Sequence, residues 1–465
     1  LSKPFMSRVT DIEGRWPLWM AASLLIPALI LFKRPLGMDS TQSAVVSSLL
    51  LIITWWSAGI VKKSVASCIL LLIFALTKAA PLATIFTFPL SENFFLIILT
   101  YLFSQGIENS GLVDKLFEPF LLRFARTPAK ALAAIIAMYI ATIYMIPQPL
   151  ARLIIVAMLF FRFLSKTTAT KETKSVLMFG CFVFYAVVNM GTKNADIIMN
   201  TASVAFAGLD MSDGEWIRYM ALPVAVYCLL IFGAFCLIFR KHLFGIGLSR
   251  IEGEGPPRAS ASLTKKEKTT LLVVILTIIA WMTEDLHGIN ATLITSGSVA
   301  LFFLQGTLRL KDLKAIDVRT MIFLTAAFSI GGVMKACGAA EIVFSRLAFL
   351  FPSEYSLYYL AVMMLVAMLM HMVLGSNTTT LSVVIPGLIV ICGNVLPPQV
   401  IMFISYNSVA SHSILPFHSA AIMIGASYGY FPNSYVARLG IPVTLIIILS
   451  AAFVFVPWWN FLGVL

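Results

Sequence analysis

Apolar stretches long enough to cross a hydrocarbon layer of about 30 Å recur along this chain. The clearest are 16–32, 42–60, 130–146, 174–190, 216–239, 269–282, 355–374 and 441–462. In lipid, backbone polar groups must be satisfied inside the segment, so such runs fold as helices. With the less regular apolar stretches between them they make roughly ten to twelve spans. Of the 465 residues, 60% are hydrophobic and 12% charged, too few polar groups to clothe a soluble domain of this size. The sequence predicts an all-α polytopic protein embedded in a lipid bilayer.

The net charge of +12 does not mark a nucleic-acid partner, because the positive residues fall in short loops between apolar runs. Examples are Lys33-Arg34, Lys62-Lys63, Arg123/Arg126 and Lys166/Lys171/Lys174. Loops of this kind orient a membrane protein, basic side in the cytoplasm. The N-terminus, with Lys3, Arg8 and Arg15 interrupted by Asp11 and Glu13, lacks a cleavable signal pattern. The expectation is a multi-pass protein of the inner (plasma) membrane with a cytoplasmic N-terminus, bacterial or plastid origin staying open. Six scattered cysteines without a CxxC pair predict neither disulfides nor a cysteine metal site.

Residues 240–268 form the one extended polar stretch, which contains "SRIEGEGPPRASASLTKKEK", with a linker's composition. The chain therefore divides into a first half at 1–239, a basic linker at 240–268 and a second half at 269–465. Three anchors relate the halves at a nearly constant offset: Gly111 with Gly338 (338 − 111 = 227), Pro147 with Ser376 (376 − 147 = 229) and Gly191 with His418 (418 − 191 = 227). Repeats of this kind in secondary transporters surround a midplane site built from broken or re-entrant helices. Pro147-Gln148-Pro149 interrupts an apolar run, and the proline pair removes backbone donors, so a helix must break there. Gly375-Ser376-Asn377 and Pro416 mark further breaks.

The run Ser376-Asn377-Thr378-Thr379-Thr380 sits inside the oily stretch "MVLGSNTTTLSVVIPGL". Polar groups there are costly unless something satisfies them. Hydroxyls and an amide supply neutral donors to a carboxylate, reinforced by nearby helix N-termini. Together with "GLVDKL" beside "SQGIENS" and the twofold plan, the Ser376-Asn377-Thr378 motif resembles the divalent anion/sodium symporter family, the INDY-type dicarboxylate transporters. The resemblance implies two inverted repeats with re-entrant hairpins, a homodimer, and a scaffold domain beside a mobile transport (elevator) domain. It also implies succinate, malate, fumarate or 2-oxoglutarate as substrates, citrate or sulfate in some branches, and sodium held by the hairpin-tip loops.

The sequence departs from that pattern in ways that change the expected chemistry. The first-half motif reads Pro147-Gln148-Pro149, keeping only the amide. The later breaks read Gly191-Thr192-Lys193-Asn194 and Phe417-His418-Ser419-Ala420. A basic or protonatable side chain thus stands near each expected site, and Arg152 adds a third. A fixed cation repels sodium and can do its electrostatic work toward a dianion. An empty site of fixed charge crosses slowly, which predicts exchange of dicarboxylate anions without sodium. The expected substrate-binding set is Gln148, Pro149, Arg152, Thr192, Lys193, Ser376, Asn377, Thr378, His418 and Ser419. No cofactor or metal is expected, apart from a residual cation site near Asn377. Lys193 also stands three residues before Asp196, where the two could pair on a helix. His371 and His412 match no motif position and read as packing residues. The alternatives are a sodium-coupled symporter, an anion channel, and a membrane enzyme using Ser413 and His412. The enzyme reading lacks both G-x-S-x-G and H-E-x-x-H.

Overall fold

The computed structural model describes residues 20–58, 60–245, 247–249, 263–283, 287–346, 348–374, 376–414 and 418–465. Gly375, Pro416, Phe417 and linker residues 250–262 lie outside the described residues, so the break read at Pro416 does too. All extended regular structure among the described residues is helical. Helices begin where a side chain can occupy the free amides of the first turn. Thr127 Oγ1 accepts from Lys130 N at 3.3 Å ahead of Pro128. Ser212 and Thr264 form reciprocal boxes with Glu215 and Glu267.

Three described helices, Asp213–Ile238, Val318–Ala336 and Ser434–Phe461, are long and apolar enough to cross a membrane unaided. Others are apolar but short, among them Lys63–Leu76, Pro128–Thr142, Ala291–Leu304 and Asn377–Cys392. A 14-residue helix such as Lys63–Leu76 reaches only about 21 Å at 1.5 Å per residue, short of a hydrocarbon core. The simple series of ten to twelve full spans is therefore partly replaced by half-length pieces, cut at glycine and proline positions.

The order of pieces between Glu92 and Ile238 recurs between Val318 and Phe461. Glu92–Ser110 meets Leu112–Phe124 at Gly111, φ +74°, and Val318–Ala336 meets Ala339–Ser345 at Gly338, φ +71°. Glycine enters this left-handed region without a Cβ penalty. Two helices joined by a short link follow in each case, Pro128–Thr142 with Pro149–Ser165 and Leu357–Leu374 with Asn377–Cys392, and the arms of each pair pack together. Then comes a helix that stops and restarts: Lys171–Val188 resumes as Ile197–Phe206, and Pro398–Ser411 as Ala420–Ser427. A long helix closes each series, the second running through a π-turn at Ala451–Phe455.

Packing between the series is reciprocal. Lys63–Leu76 lies on Val318–Ala336, and Ala291–Leu304 lies on Glu92–Ser110. Ile197–Phe206 packs on Asn377–Cys392, so the breaks of one series are carried against those of the other. Large apolar side chains remain exposed along the outer helices, including Leu229, Leu237, Leu445, Phe453 and Phe461, as lipid contact requires.

Gly440 lets the long helix Ser434–Ser450 approach the second restart. A Cβ there would stand 2.4 Å from Ser413 O and 2.9 Å from Ile414 Cα, both backbone atoms with little freedom to yield. Gly440→Ala is expected to destabilise the protein by about 1–3 kcal/mol, as overpacking does, read as a lower melting temperature in detergent.

Candidate functional site

The proline pair sets the first break. The helix ends at Thr142 and restarts at Pro149, which takes the first helical position, where a missing N–H costs nothing. The carbonyls freed by the break need donors. Arg152, fully buried one turn into the new helix, supplies them. Its Nη1 donates to Ile143 O at 3.3 Å and Ile146 O at 3.0 Å. Its Nη2 donates to Asn189 Oδ1 at 2.7 Å and to Ala195 O. Four oxygens from the hairpin tip and the stopped-and-restarted helix thus converge on one guanidinium.

The breaks also enclose a cavity of about 250 Å³, below the size usual for drug-like ligands and suited to a small solute. Pro149 contributes from the first break, Asn189 and Asp196 from the second, Ser376, Asn377 and Thr378 from the third, and His418 and Ser419 from the fourth. Lys63, at the start of Lys63–Leu76, also reaches the wall. Pro149, Asn377 and Ala420 each open a helix beside the cavity, and helix N-termini favour anions. Asn377 Oδ1 is buried without a hydrogen-bond partner. A half-turn of that amide would present its two donors instead.

The sequence-derived site therefore divides. Pro149, Ser376, Asn377, Thr378, His418 and Ser419 share the cavity. Gln148 sits just behind it: its backbone N–H donates to Ser104 Oγ at 3.1 Å and its side chain caps Ala151 N. Arg152 sits behind Asn189. Thr192 and Lys193 are not among the lining residues. Thr192 Oγ1 accepts from Ala195 N at 3.1 Å, and Lys193 Nζ donates to Met211 O. Asp213, at the start of the next helix, holds this loop by accepting from Asn194 N at 3.1 Å, while its other oxygen accepts from Tyr144 OH of the first break at 2.7 Å. The carboxylate of Asp196 caps Met199 N at 3.0 Å, leaving the anticipated helical pair with Lys193 unformed among the described ion pairs. Lys193→Ala is accordingly expected to change transport by no more than about twofold, the range of substitutions away from buried networks.

Sequence reasoning passed over Lys63, Asn189, Asp196, His371 and His412. His371 Nε2 lies 3.2 Å from His418 O, and its Nδ1 lies 3.4 Å from His412 Nδ1. By helix starts, Ala420 corresponds to Ile197, an offset of 223 (420 − 197). His418 then stands level with Ala195 rather than Gly191, because the helix before the break runs 18 residues in the first series (Lys171–Val188) and 14 in the second (Pro398–Ser411). His412 follows Pro398–Ser411 just as Asn189 follows Lys171–Val188. His371 therefore touches the counterparts of two residues that Arg152 holds. The available signal was the helix-end position of Asn189 and His412, which no motif marks.

Residues 15–465 match the family model described as the sodium:sulfate symporter transmembrane region. The chain belongs to the sodium:sulfate symporter family. Comparison with curated proteins finds no match. Membership makes this symporter-family chain an integral membrane protein and a secondary transporter of the sulfate/dicarboxylate type, in agreement with the resemblance carried by Ser376-Asn377-Thr378. Apolar helices and a cavity between four chain breaks that carries a few polar groups are the structure such a carrier requires.

Proposed function

We propose that the protein exchanges C4 and C5 dicarboxylates, such as succinate, malate, fumarate and 2-oxoglutarate, across the membrane without sodium. The observation that carries this reading is the Arg152 guanidinium on four oxygens. Uncharged oxygens converging from a hairpin tip and a helix break are what a sodium ion needs, and here a covalently attached cation takes them. Unlike sodium, it cannot leave with the substrate. The cavity wall carries Lys63 and one carboxylate, Asp196, with the buried Arg152 behind it, a balance of charge that favours an anion. Ser376, Asn377 and Thr378 supply the polar contacts.

The recurring element order supports two inverted repeats, within a first half at 1–239 and a second at 269–465 joined by the linker at 240–268. The hairpins and restarted helices form a mobile elevator body, and the helices around Lys63–Leu76 and Ala291–Leu304 form the scaffold of a homodimer. The protein lies in an inner (plasma) membrane with its N-terminus in the cytoplasm.

A second reading, a sodium-coupled symporter, is favoured by Asn377 Oδ1 and Thr379 Oγ1, two buried oxygens without partners. They could belong to a residual cation site. Purified protein in liposomes separates the two readings. Radiolabelled succinate uptake is measured with internal succinate, 2-oxoglutarate, sulfate or no anion, and with sodium or choline outside. Exchange predicts uptake that requires an internal dicarboxylate and ignores sodium. Sodium-driven uptake into anion-free vesicles would overturn it.

A further inference from the structure

His371, His412 and His418 come from the hairpin arm Leu357–Leu374 and from the two sides of the second helix break. All three are buried, at 0%, 3% and 1% exposure. Their ring centroids form a nearly equilateral triangle with sides of 5.5, 5.1 and 5.3 Å. One ring nitrogen from each can be chosen so that all lie within 4.8 Å of one another.

We propose that this triad is a binding site for a late first-row divalent metal ion of the zinc class. The backbone oxygen of His418 can only accept, so the proton of His371 is on Nε2 and the lone pair on Nδ1. That lone pair points to His412 Nδ1 at 3.4 Å. In a tetrahedral site with metal–nitrogen bonds of about 2.0–2.1 Å, ligand nitrogens stand about 3.4 Å apart. One edge of the site is already at that distance, and a nitrogen from each ring lies within 4.8 Å of one from each of the others. The carbonyl behind His371 is the partner that orients a ligating imidazole.

The choice of ion follows from the donors. Three neutral imidazoles suit zinc, copper, nickel or cobalt and not sodium, which takes oxygen. His418 also lines the anion cavity, so the fourth coordination position opens toward a carboxylate oxygen of a bound anion. That anion supplies the compensating charge a buried divalent ion needs. The ion would clamp the hairpin arm to the restarted helix, the role Arg152 plays at the corresponding first-half junction. Metal binding in detergent does not depend on the transport mode proposed above, so either idea can fail alone.

The test uses full-length protein freed of any affinity tag, stripped with chelator and titrated with cobalt(II). The expected result is one ion per chain with the visible bands of four-coordinate cobalt, displaced by zinc, and altered by added succinate. His371→Ala and His412→Ala should each weaken zinc binding, measured by calorimetry, by about 100-fold or more, since even outer-shell losses cost 10–100-fold. His287→Ala, at an exposed histidine bonded to Ala280 O, should leave binding unchanged. Wild-type protein without four-coordinate cobalt bands overturns the proposal even if the variants fail to fold. Proton uptake alone, or zinc binding that survives both substitutions, overturns it as well.

Discussion

Arg152→Ala is expected to abolish dicarboxylate exchange in choline and to recover part of it in sodium. The substitution removes the donors from Ile143 O, Ile146 O, Asn189 Oδ1 and Ala195 O. Each buried acceptor left bare costs about 1–3 kcal/mol, so a loss of about 3 kcal/mol or more in stability is expected, seen as an earlier thermal transition. The vacated oxygens are the hard, uncharged donors that sodium prefers. Sodium should therefore raise both the melting temperature and the uptake of the variant while leaving the wild type unaffected. Arg152→Lys should fall between, because an ammonium keeps the charge but not the planar fork that spans separate acceptors. Full exchange by Arg152→Ala in choline would show that the guanidinium is only a brace.

Asn377→Ala is expected to raise the half-saturating dicarboxylate concentration by about 10- to 100-fold, the equivalent of one hydrogen bond to a charged group at 1.5–3 kcal/mol. Asn377 opens the helix Asn377–Cys392 at the cavity wall, and its Oδ1 makes no bond within the protein. Its loss should therefore leave thermal stability nearly unchanged, in contrast to Arg152. Concentration-dependent counterflow beside a melting curve separates the two effects. An unaltered half-saturation would remove Asn377 from the binding surface. Thr378→Val, which keeps the side-chain shape and deletes the hydroxyl, extends the same measurement along the motif.

Local sequence carried the all-helical class because hydrophobic runs and proline geometry are properties of neighbouring residues. The break at Pro147-Gln148-Pro149 falls between Thr142 and Pro149 as the missing donors require. Gly111 and Gly338, paired by offset, share the same left-handed conformation. The clustering of Ser376-Asn377-Thr378 with His418 and Ser419 was likewise visible as polar groups in costly surroundings.

Side-chain direction was not legible in the same way. Lys193 and Arg152 both stand beside a break, and residue spacing alone does not tell their roles apart. In the fold, Lys193 turns to Met211 O while Arg152 is drawn inward by orphaned carbonyls. Helix length also misled: the helix before the break is four residues shorter in the second series (14 against 18), which moved His418 from the level of Gly191 to that of Ala195.

What the sequence by itself determined was a membrane-embedded helical carrier of the INDY type, the place of its breaks, and the polar run that faces the cavity. Only the tertiary structure decided which basic groups stand at those breaks. It set Arg152 on four oxygens and brought His371 to His412 and His418, which lie 41 and 47 residues further along the chain. The physical reason is that a buried polar atom must find its partner in space. That partner is fixed by packing between helices, which residue spacing along the chain does not encode.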